Sequence, residues 1–553
     1  MKRHLTTIFF EMTIHPITFS TNKPYRRFPN ACFGTNAPRS VLLFIACLFI
    51  APFAKGVSAT DNKRPNILVA ISDDQSFAHT SIAGYPGVKT PNFDRLAREG
   101  VLFNNAFAAC PSCSPSRAAL LTGRQIWQIE QAGTHWSSFP TNYIVYPDLL
   151  EQAGYFVGFT GKGWSPGDWK ASGRVRNPAG SEYNQRHLKP PFSGISKEDY
   201  AANFADFLAA RPKGKPFCFW YGAHEPHRGY ENGSGLKSGK NLADGPPPSF
   251  LPDAPAVRSD LLDYCAEIEW FDTQLGRILK QLQETGELEN TLIIVTSDNG
   301  MPFGNAKATL YDYGIHEPLV VHWPERVPGG RTVDDLISLV DLAPTILEAA
   351  GVPQSTNHPP MIGRSIMNLL RSEKEGLVDS SRTVVYAGRE RHSSSRYNNL
   401  GYPSRALRTK EFLYIRNFRP DRWPLGDPFI LNSKGKPEAL PGIGYKDTDT
   451  GPTSDYLVAN SADPQVEKYF ALTFGKRPAE ELFDILKDPG CLNNLATDPR
   501  HANIRKKLSQ QLDDYLHQTE DPRVLNGGAI FETYRRYGPI RQFPRPTDYD
   551  ANW

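Results

Sequence analysis

The cysteine at position 113 stands in a run whose residue types suit chemistry better than packing. Residues 113–117 read Cys-Ser-Pro-Ser-Arg, and residues 118–124 continue as Ala-Ala-Leu-Leu-Thr-Gly-Arg. A thiol at the start of such a run can act as a nucleophile or be converted into one. A buried structural cysteine ahead of a helix start is the alternative, and the motif alone leaves it open. Cys110 has no Pro-Ser-Arg behind it in the same register, so Cys113 is the candidate.

Two apolar, β-branched runs, residues 65–71 and 291–297, are each followed by acidic residues. Such runs are typical of buried strands in a parallel sheet, where ligand groups collect at the carboxyl ends of the strands. The polar side chains that follow the two runs are Asp73, Asp74, Asp298 and Asn299. Carboxylate and amide oxygens are ligands that calcium or magnesium prefers. For either pair alone, a turn or a helix cap is the competing interpretation.

A third apolar run, residues 217–221, leads into a cluster of proton carriers and basic groups. Residues 224–228 read His-Glu-Pro-His-Arg, and Lys307 follows the Asp298 turn by a few residues. Taken alone, a histidine beside a glycine-rich loop is more often a capping or surface residue than a catalytic one. Its position among the other motifs favours a role for His224 in the chemistry.

Together these motifs resemble those of the sulfatase family, and the resemblance covers residues 65 to about 522. In that family the cysteine is oxidised by a maturation enzyme to formylglycine, so the resemblance implies this cofactor at Cys113. The hydrated aldehyde carries two hydroxyls on one carbon, of which one attacks sulfur and the other expels sulfate. The resemblance also implies a calcium ion, with these ligands: Asp73, Asp74, Asp298, Asn299 and the modified Cys113.

The resemblance further implies roles for the basic groups. Arg117 would steady the formylglycine hydroxyl, Lys162 and Lys307 would neutralise sulfate oxygens, and His224 would protonate the leaving group. This sequence departs from the family's Gly-Lys-x-His segment, because Trp164 stands at the histidine position. His135 is the nearest candidate for the missing base, and Lys162 with bound water is the alternative. Trp164 itself is either a stacking wall for a sugar ring or ordinary packing.

Several segments resemble the branch of the family that acts on N-sulfated glucosamine. They include residues 224–228, 316–319, 402–405 and 494–499. A sulfated saccharide is therefore the expected partner, and N-sulfoglucosamine is the first candidate. The expected substrate contacts are His135, Trp164, His227, Arg391, His392 and Arg405. For the two arginines and His392, a solvated charged loop is the alternative.

Three other functions remain as alternatives at this stage. They are an O-sulfatase acting on another sulfated polysaccharide, a phosphate or phosphonate ester hydrolase of the same superfamily, and a non-catalytic glycan-binding relative. The Cys-x-Pro-Ser-Arg run argues against the ester hydrolase, which would commonly use threonine or serine with zinc and histidine ligands.

Composition sets limits that agree with these expectations. A formal net charge of +3 and 22% charged residues over 553 residues do not suit a nucleic-acid binder. The apolar segment 41–51 is too short to span a membrane comfortably, and Val57-Ser58-Ala59 offers a small-residue cleavage site. We therefore expect an export signal in residues 1–59, cleavage near Ala59, and a secreted or periplasmic protein without stable membrane insertion. A membrane anchor is the alternative. With 7 cysteines, two of them before the cleavage site, a dense disulfide framework is not expected.

Apolar runs alternate with helical patterns from residue 65 to about 350. This alternation predicts an α/β fold with a mostly parallel sheet between helices, and the family resemblance implies an alkaline-phosphatase-like fold. Helices are predicted near residues 91–99, 256–285 and 504–515. Short strand patterns at residues 383–386 and 408–415 predict an antiparallel sheet in a smaller α+β domain. The expected domains are residues 60–375 for catalysis and 376–553 for the smaller domain.

Overall fold

The structure is a computed structural model, and it describes residues 63–428, 430–431, 437–438 and 444–540. The expected export signal of residues 1–59 and the cleavage site near Ala59 lie outside the described residues and stay predictions. The principal element of the described chain is a nine-stranded sheet. Its strands are β1 Asn66–Ser72, β2 Val101–Phe107, β3 Phe156–Gly161, β4 Ser181–Glu182, β5 Phe217–Gly222, β6 Thr291–Ser297, β7 His316–His322, β8 Arg331–Val333 and β9 Ile337–Ser338.

The strand order places the chemistry-bearing strands together in the middle of the sheet. The order is β4-β3-β5-β1-β6-β7-β2-β8, with β9 paired to β2. Strand β1 runs parallel to both β5 and β6, while β7 runs antiparallel to β6 and β2. The predicted mostly parallel sheet is therefore confirmed. The carboxyl ends of β1, β5 and β6 meet at one edge, where ligand groups collect in sheets of this kind.

Helices cover both faces of this sheet. Alternate residues of β1 belong to different cores: Ile67, Val69 and Ile71 pack on one side, and Leu68 and Ala70 on the other. This alternation follows from the two-residue period of a strand and explains why the predicted run is apolar throughout. The helices are α1 Pro91–Glu99, α2 Cys113–Thr122, α3 Tyr146–Gln152, α4 Tyr200–Ala210, α5 Ser234–Lys237, α6 Pro255–Glu284, α7 Asp312–Ile315, α8 Leu342–Ala350, α9 Met367–Arg371, α10 Pro452–Ala459, α11 Glu467–Phe474, α12 Ala502–Gln518, α13 Pro522–Asn526 and α14 Ile530–Thr533.

The predicted helices near residues 91–99, 256–285 and 504–515 are confirmed as α1, α6 and α12. Helix α1 has proline at its first position and ends before Gly100, as its sequence predicts. Cys265 on α6 is fully buried in the core, which confirms its structural role. The five cysteines of the described residues are all buried and free.

A second, antiparallel sheet follows the first along the chain. Its strands, in spatial order, are β10 Val385–Arg389, β11 Ser404–Arg408, β12 Phe412–Asn417 and β15 Glu480–Asp484. Two short paired strands, β13 Ile430–Leu431 and β14 Pro437–Glu438, lie between β12 and β15 in the chain. The predicted strand at 408–415 is wrong in its start, because Arg408 ends β11 and a turn separates it from β12. All four strands of the sheet follow residue 376. The division into domains at 60–375 and 376–553 stays a proposal.

Candidate active site

Helix α2 holds Cys113 at its first position. Ser112 is extended and Pro115 lies in the first turn, where its missing N–H is not needed by the helix. Gly123 ends the helix in the left-handed conformation that glycine adopts without strain. The Cys113 Sγ atom is buried and lies 3.4 Å from Oδ1 of Asp73. Burial, and then the Asp73 charge, raise the pKa of this thiol well above its usual value, so the unmodified thiol is a poor nucleophile here.

The acidic residues after β1 and β6 converge beside Cys113, as predicted. Ser72 and Ser297 are register partners at the ends of the two strands, so the residues that follow them emerge together. Candidate ligand atoms of Asp73, Cys113 and Asp298 lie within 4.8 Å of one another. Asp74 adjoins this group, with its backbone N–H 3.1 Å from Oδ1 of Asp298. Asp74 also has a φ of 76°, a strained backbone angle of the kind found at functional sites.

Asn299 provides an independent test of whether this group suits a cation. Its Nδ2 donates to Oδ1 of Asp74 at 2.7 Å, which fixes the orientation of the amide. Its Oδ1 is buried and has no hydrogen-bond partner. A buried acceptor without a donor costs free energy unless something positive faces it. Three buried carboxylates and this amide oxygen form an all-oxygen set that fits calcium.

Three basic side chains pair with the carboxylates of this group. Nε of Arg117 lies 2.7 Å from Oδ2 of Asp298, and Lys162 and Lys307 contact Asp73 and Asp74 at 2.5 and 2.6 Å. Nη2 of Arg117 is buried without a hydrogen bond and lies 3.8 Å from Oδ1 of Asp73. The structure therefore brings together all the residues predicted to act as nucleophile, ligands and sulfate-neutralising cations.

Burial and these ion pairs have opposite effects on the pKa of each carboxyl group. Burial acts to raise the pKa of Asp73, but Lys162 and other nearby cations outweigh it and hold the pKa well below its usual value. Burial raises the pKa of Asp298 to about 6, despite the opposing charge of Arg117. A divalent cation would add positive charge to the same carboxylates and favour their ionised forms.

The group opens into a cavity of about 670 Å³. Its polar lining includes Asp73, Cys113, His135, Lys162, Ser196, Glu198, His224, His227, Arg228, Lys307, His392, Ser393, Lys446 and Asp449. Four histidines, among them the expected proton donor His224, thus face one space together with Cys113, Lys162 and Lys307. The volume is in the range of pockets that hold a small saccharide or drug-sized ligand.

His224 reaches this cavity from the loop after β5, and its backbone is held by Tyr200. The His224 N–H donates to Oη of Tyr200 at 3.1 Å, and that hydroxyl donates to Oε2 of Glu225 at 2.9 Å. Glu225 also accepts from the Ser196 N–H at 2.7 Å, and its carbonyl accepts from the Asp73 N–H at 2.8 Å. Burial, then Lys162, lower the pKa of His224. Glu225 therefore links the expected proton donor to the metal-ligand loop, and the sequence analysis missed it.

We expect Glu225→Gln to lower kcat about tenfold, because the amide N–H either opposes the Ser196 N–H or takes away the acceptor of the Tyr200 hydroxyl proton. One buried contact would then be lost, at a cost of about 1–3 kcal/mol in the free energy of unfolding. Tyr200→Phe removes the hydroxyl that accepts from the His224 N–H and donates to Glu225, so it should lower kcat at least as much. Steady-state kinetics and thermal melts of both variants check this. Unchanged kcat in Glu225→Gln would contradict a positioning role.

Trp164 is buried in the core and does not line the cavity, so the predicted sugar wall is wrong and the packing alternative is right. Its side chain is 0% exposed. Its ring packs against Phe139 with centroids 5.2 Å apart, and its Nε1–H donates to the Ser114 carbonyl at 3.0 Å. Trp164 therefore braces the first turn of α2, next to Cys113.

Trp164→Ala should lower the free energy of unfolding by about 3–5 kcal/mol, because it empties a large core site. Trp169→Ala, at a partly buried tryptophan close by, is the matched control and should cost less. Chemical denaturation measures both. A Trp164→Ala variant of normal stability with only a raised KM for sugar would restore the stacking interpretation.

Arg405 and Arg391 are also wrong as substrate contacts. Arg405 is fully buried, with Nε 2.6 Å from Asp521 and Nη2 2.8 Å from Glu390. Arg391 is buried and donates to the Tyr534 carbonyl at 2.6 Å. Both guanidinium groups are thus engaged inside the protein.

His135, His392 and His227 line the cavity as expected. The rings of His135 and His392 lie 4.5 Å apart, and Nδ1 of His135 is 2.9 Å from the His392 carbonyl. Burial lowers the pKa of His392 to about 4 and also lowers that of His135. Both imidazoles are therefore neutral at neutral pH. Nε2 of His227 lies 3.9 Å from Oδ2 of Asp74, next to the carboxylate cluster.

Asp449 is a further cavity residue that the sequence analysis missed. Its Oδ2 lies 2.8 Å from Nζ of Lys307, across 142 positions of the chain. The run Lys446-Asp447-Thr448-Asp449 has the composition of a surface turn, so no sequence signal pointed to a contact with the active site.

The fold and these motifs define a sulfatase, and the comparison with known families agrees. The model of the Sulfatase family matches residues 65–352. A second model, described as N-sulphoglucosamine sulphohydrolase, C-terminal, matches residues 305–428. The chain belongs to the sulfatase family and is a sulfatase-type hydrolase.

Similar proteins include three named sulfatases. The N-sulphoglucosamine sulphohydrolase of Homo sapiens is 30% identical over 84% of this chain and 93% of its own length. An ulvan-active sulfatase of Formosa agariphila is 28% identical, and the match covers 88% of this chain and 82% of that protein. An N-acetylglucosamine-6-O-sulfatase of Bacteroides thetaiotaomicron is 26% identical, and the match covers 70% of this chain and 85% of that protein.

Solved structures share the fold at lower identity. One, described as a complex with its substrate D-glucosamine-2-N,6-O-disulfate, has a TM-score of 0.58 and 21% identity, covering 83% of this chain and 99% of that chain. A phosphonate monoester hydrolase of Agrobacterium radiobacter has a TM-score of 0.56 and 19% identity, and the match covers 82% of this chain and 96% of that chain. The alkaline-phosphatase-like fold implied by the sequence is confirmed. Among the described residues, no helix is both long enough and apolar enough to cross a membrane.

Proposed function

We propose that this sulfatase removes the N-sulfate of glucosamine residues, using a formylglycine derived from Cys113 and a calcium ion. The observation that carries the chemistry is the position of Cys113 at the start of α2, in contact with a buried group of three carboxylates and three basic side chains. The 30% identity to N-sulphoglucosamine sulphohydrolase over most of both chains supports the substrate. The match of residues 305–428 to the C-terminal model of the same enzyme adds to this support.

The two cofactors would divide the chemistry between them. Calcium would be held by Asp73, Asp74, Asp298, Asn299 and residue 113, and would supply positive charge that polarises the sulfo group. Formylglycine at position 113 would supply the nucleophilic hydroxyl and a second hydroxyl for release of sulfate. Production of the aldehyde requires a formylglycine-generating maturation enzyme, which is therefore a proposed partner.

The protein's own side chains bind the sulfo group and move protons. Arg117 is fixed by Asp298 and directs an unpaired nitrogen toward the cluster, where it can hold the hydroxyl of residue 113. Lys162 and Lys307 lie at the cavity wall and can neutralise the sulfo oxygens. His224 faces the cavity from the β5 loop and can protonate the departing nitrogen. That proton matters most for an N–S bond, because an unprotonated amine anion is a very poor leaving group.

His135 is the proposed acceptor for the proton that is lost when sulfate is released. Trp164 occupies the core and cannot serve. His135 is neutral, lines the cavity, and has Nδ1 engaged with a backbone carbonyl, which leaves Nε2 for the cavity. Lys162 with water remains the second candidate for this step.

An O-sulfatase is the second candidate function. Relatives of 28% and 26% identity are an ulvan-active sulfatase and an N-acetylglucosamine-6-O-sulfatase. The same nucleophile and cation cluster would serve an ester, and only the loops around the cavity would differ. We also propose that the mature protein is secreted or periplasmic, after removal of residues 1–59.

Sulfate release from a panel of sugars tests the substrate. The panel contains N-sulfoglucosamine, 6-O-sulfated N-acetylglucosamine and sulfated galactose, with matured protein and a Cys113→Ala control. Release from N-sulfoglucosamine alone is expected. Release only from O-sulfated sugars would keep the reaction type and overturn the substrate, and no release from any sugar would favour a binding protein.

A further inference from the structure

A buried ion-pair network anchors the chain segment that carries Asp449. Two residues earlier, Asp447 is buried, with Oδ2 2.8 Å from Nη2 of Arg389 and 2.6 Å from Nη2 of Arg396. Asp447 also accepts from the Ser393 N–H at 2.7 Å. Burying a carboxylate is costly unless it is fully paired, and two guanidinium groups and a backbone N–H meet that need. These contacts fix the segment, and Lys446 and Asp449 on either side of Asp447 line the cavity.

This anchored segment places a carboxylate beside the expected sulfate-binding lysine. Asp449 lines the same cavity as Cys113, and its Oδ2 lies 2.8 Å from Nζ of Lys307. Lys307 contacts Asp74 on its other side at 2.6 Å, so its ammonium lies between two carboxylates. Burial would raise the pKa of Asp449, but Lys307 and then His227 hold the pKa below its usual value. Asp449 therefore carries a negative charge inside a pocket for anions.

A negative charge in an anion pocket has a specific effect on selectivity. The sulfo group of a sulfated sugar carries one negative charge, whereas free sulfate and a phosphate monoester carry about two at neutral pH. Repulsion from a fixed carboxylate scales with the charge of the ligand, so the dianion is penalised more. For charges about 6 Å apart at an effective dielectric of about 40, each additional ligand charge costs on the order of tenfold in affinity.

We propose that Asp449 is a specificity-determining residue that favours singly charged sulfo groups over doubly charged anions. Its carboxylate weakens the hold of Lys307 on a dianion, which speeds loss of product sulfate and disfavours phosphate monoesters. The assignment rests on the proposed function for its substrate, but it makes a separate statement about anion charge.

Isothermal titration calorimetry of Asp449→Asn tests this in calcium-containing buffer. The probes are sulfamate, a monovalent anion of similar size, and divalent sulfate, with inorganic phosphate as a third. We expect the ratio of sulfate to sulfamate affinity to rise on the order of tenfold over the wild type. Inhibition of turnover by sulfate should strengthen by the same factor.

Three further variants make the result specific. Asp455→Asn removes an exposed carboxylate a few residues away and should leave the ratio unchanged. Asp449→Glu keeps the charge and should keep the ratio close to wild type. Asp449→Ser removes the charge by a different side chain and replaces Asp449→Asn if the latter fails to fold.

The outcomes separate this inference from the proposed function. A ratio unchanged in a charge-removing variant would overturn the role of Asp449, even if the wild type releases sulfate from N-sulfoglucosamine. A raised ratio together with no sulfate release from any sugar would support the role of Asp449 and overturn the proposed function.

Discussion

Cys113→Ala should abolish sulfate release, with kcat reduced by at least about four orders of magnitude. The variant lacks the thiol that must be oxidised to give formylglycine, and no other cysteine of the described residues joins the carboxylate group. The four other proposed calcium ligands and the basic side chains stay in place, so the fall should appear mainly in kcat. Removing one buried sulfur should cost only about 1–2 kcal/mol in the free energy of unfolding. Sulfate release by matured variant and wild type measures the effect.

Cys110→Ala is the matched control for this experiment. Cys110 is also buried, but its Sγ contacts Ser112 Oγ at 3.3 Å and not the acidic group. Burial raises the pKa of its thiol to about 12, so it is inert. Cys110→Ala should retain most of the activity. An active Cys113→Ala, or an inactive but folded Cys110→Ala, would contradict the assignment of the nucleophile.

Removal of calcium should abolish activity and lower the melting temperature. The ion would relieve repulsion among Asp73, Asp74 and Asp298 and satisfy the orphan Oδ1 of Asn299. At a calcium concentration 100 times the Kd, binding adds about 2.7 kcal/mol to stability. Calorimetry or fluorescence melts in chelator, followed by calcium addition, measure the shift in melting temperature, which should amount to about 2–3 °C for a chain of this length.

Asp298→Asn tests whether the shift arises at this site. The variant replaces one carboxylate ligand by an amide and leaves the size of the side chain unchanged. It should lose most of the calcium-dependent rise in melting temperature, while Asp455→Asn should keep it. A wild type whose melting temperature and activity do not respond to chelator would count against a calcium site.

The chemistry-bearing groups of this protein are predictable because they depend on local sequence and strand order. The runs before Asp73 and Asp298 are mainly apolar and β-branched, a pattern that predicts the buried parallel strands β1 and β6. Neighbouring parallel strands end at the same edge of a sheet, so the acidic residues after both strands must lie there together. The start of α2 at Cys113 and the end of α1 before Gly100 are likewise encoded within a few residues.

The errors concern side chains whose environment is set by distant parts of the chain. Trp164 follows a glycine-rich strand end, yet helix α2 and Phe139 close over it. Arg405 looks like a basic surface group, but Asp521 approaches it across 116 positions. No local pattern reports such a partner, so burial of a charged residue could not be predicted from its neighbours.

The same limit explains the groups that sequence analysis missed. Glu225 lies inside a recognised motif, but its role depends on Tyr200 of α4 and on Ser196. Asp449 reaches Lys307 from a segment in which Asp447 is held by Arg389 and Arg396. These contacts are tertiary, and they determine how the predicted residues are held and charged.

Mass spectrometry of the peptide that contains residue 113 tests the central claim most directly. Protein is expressed with and without a formylglycine-generating enzyme, and sulfate release is measured on the same samples. We predict that the thiol is replaced by an aldehyde only with the maturation enzyme, and that activity rises in proportion to the modified fraction. Full activity in protein whose Cys113 remains an unmodified thiol would contradict the account.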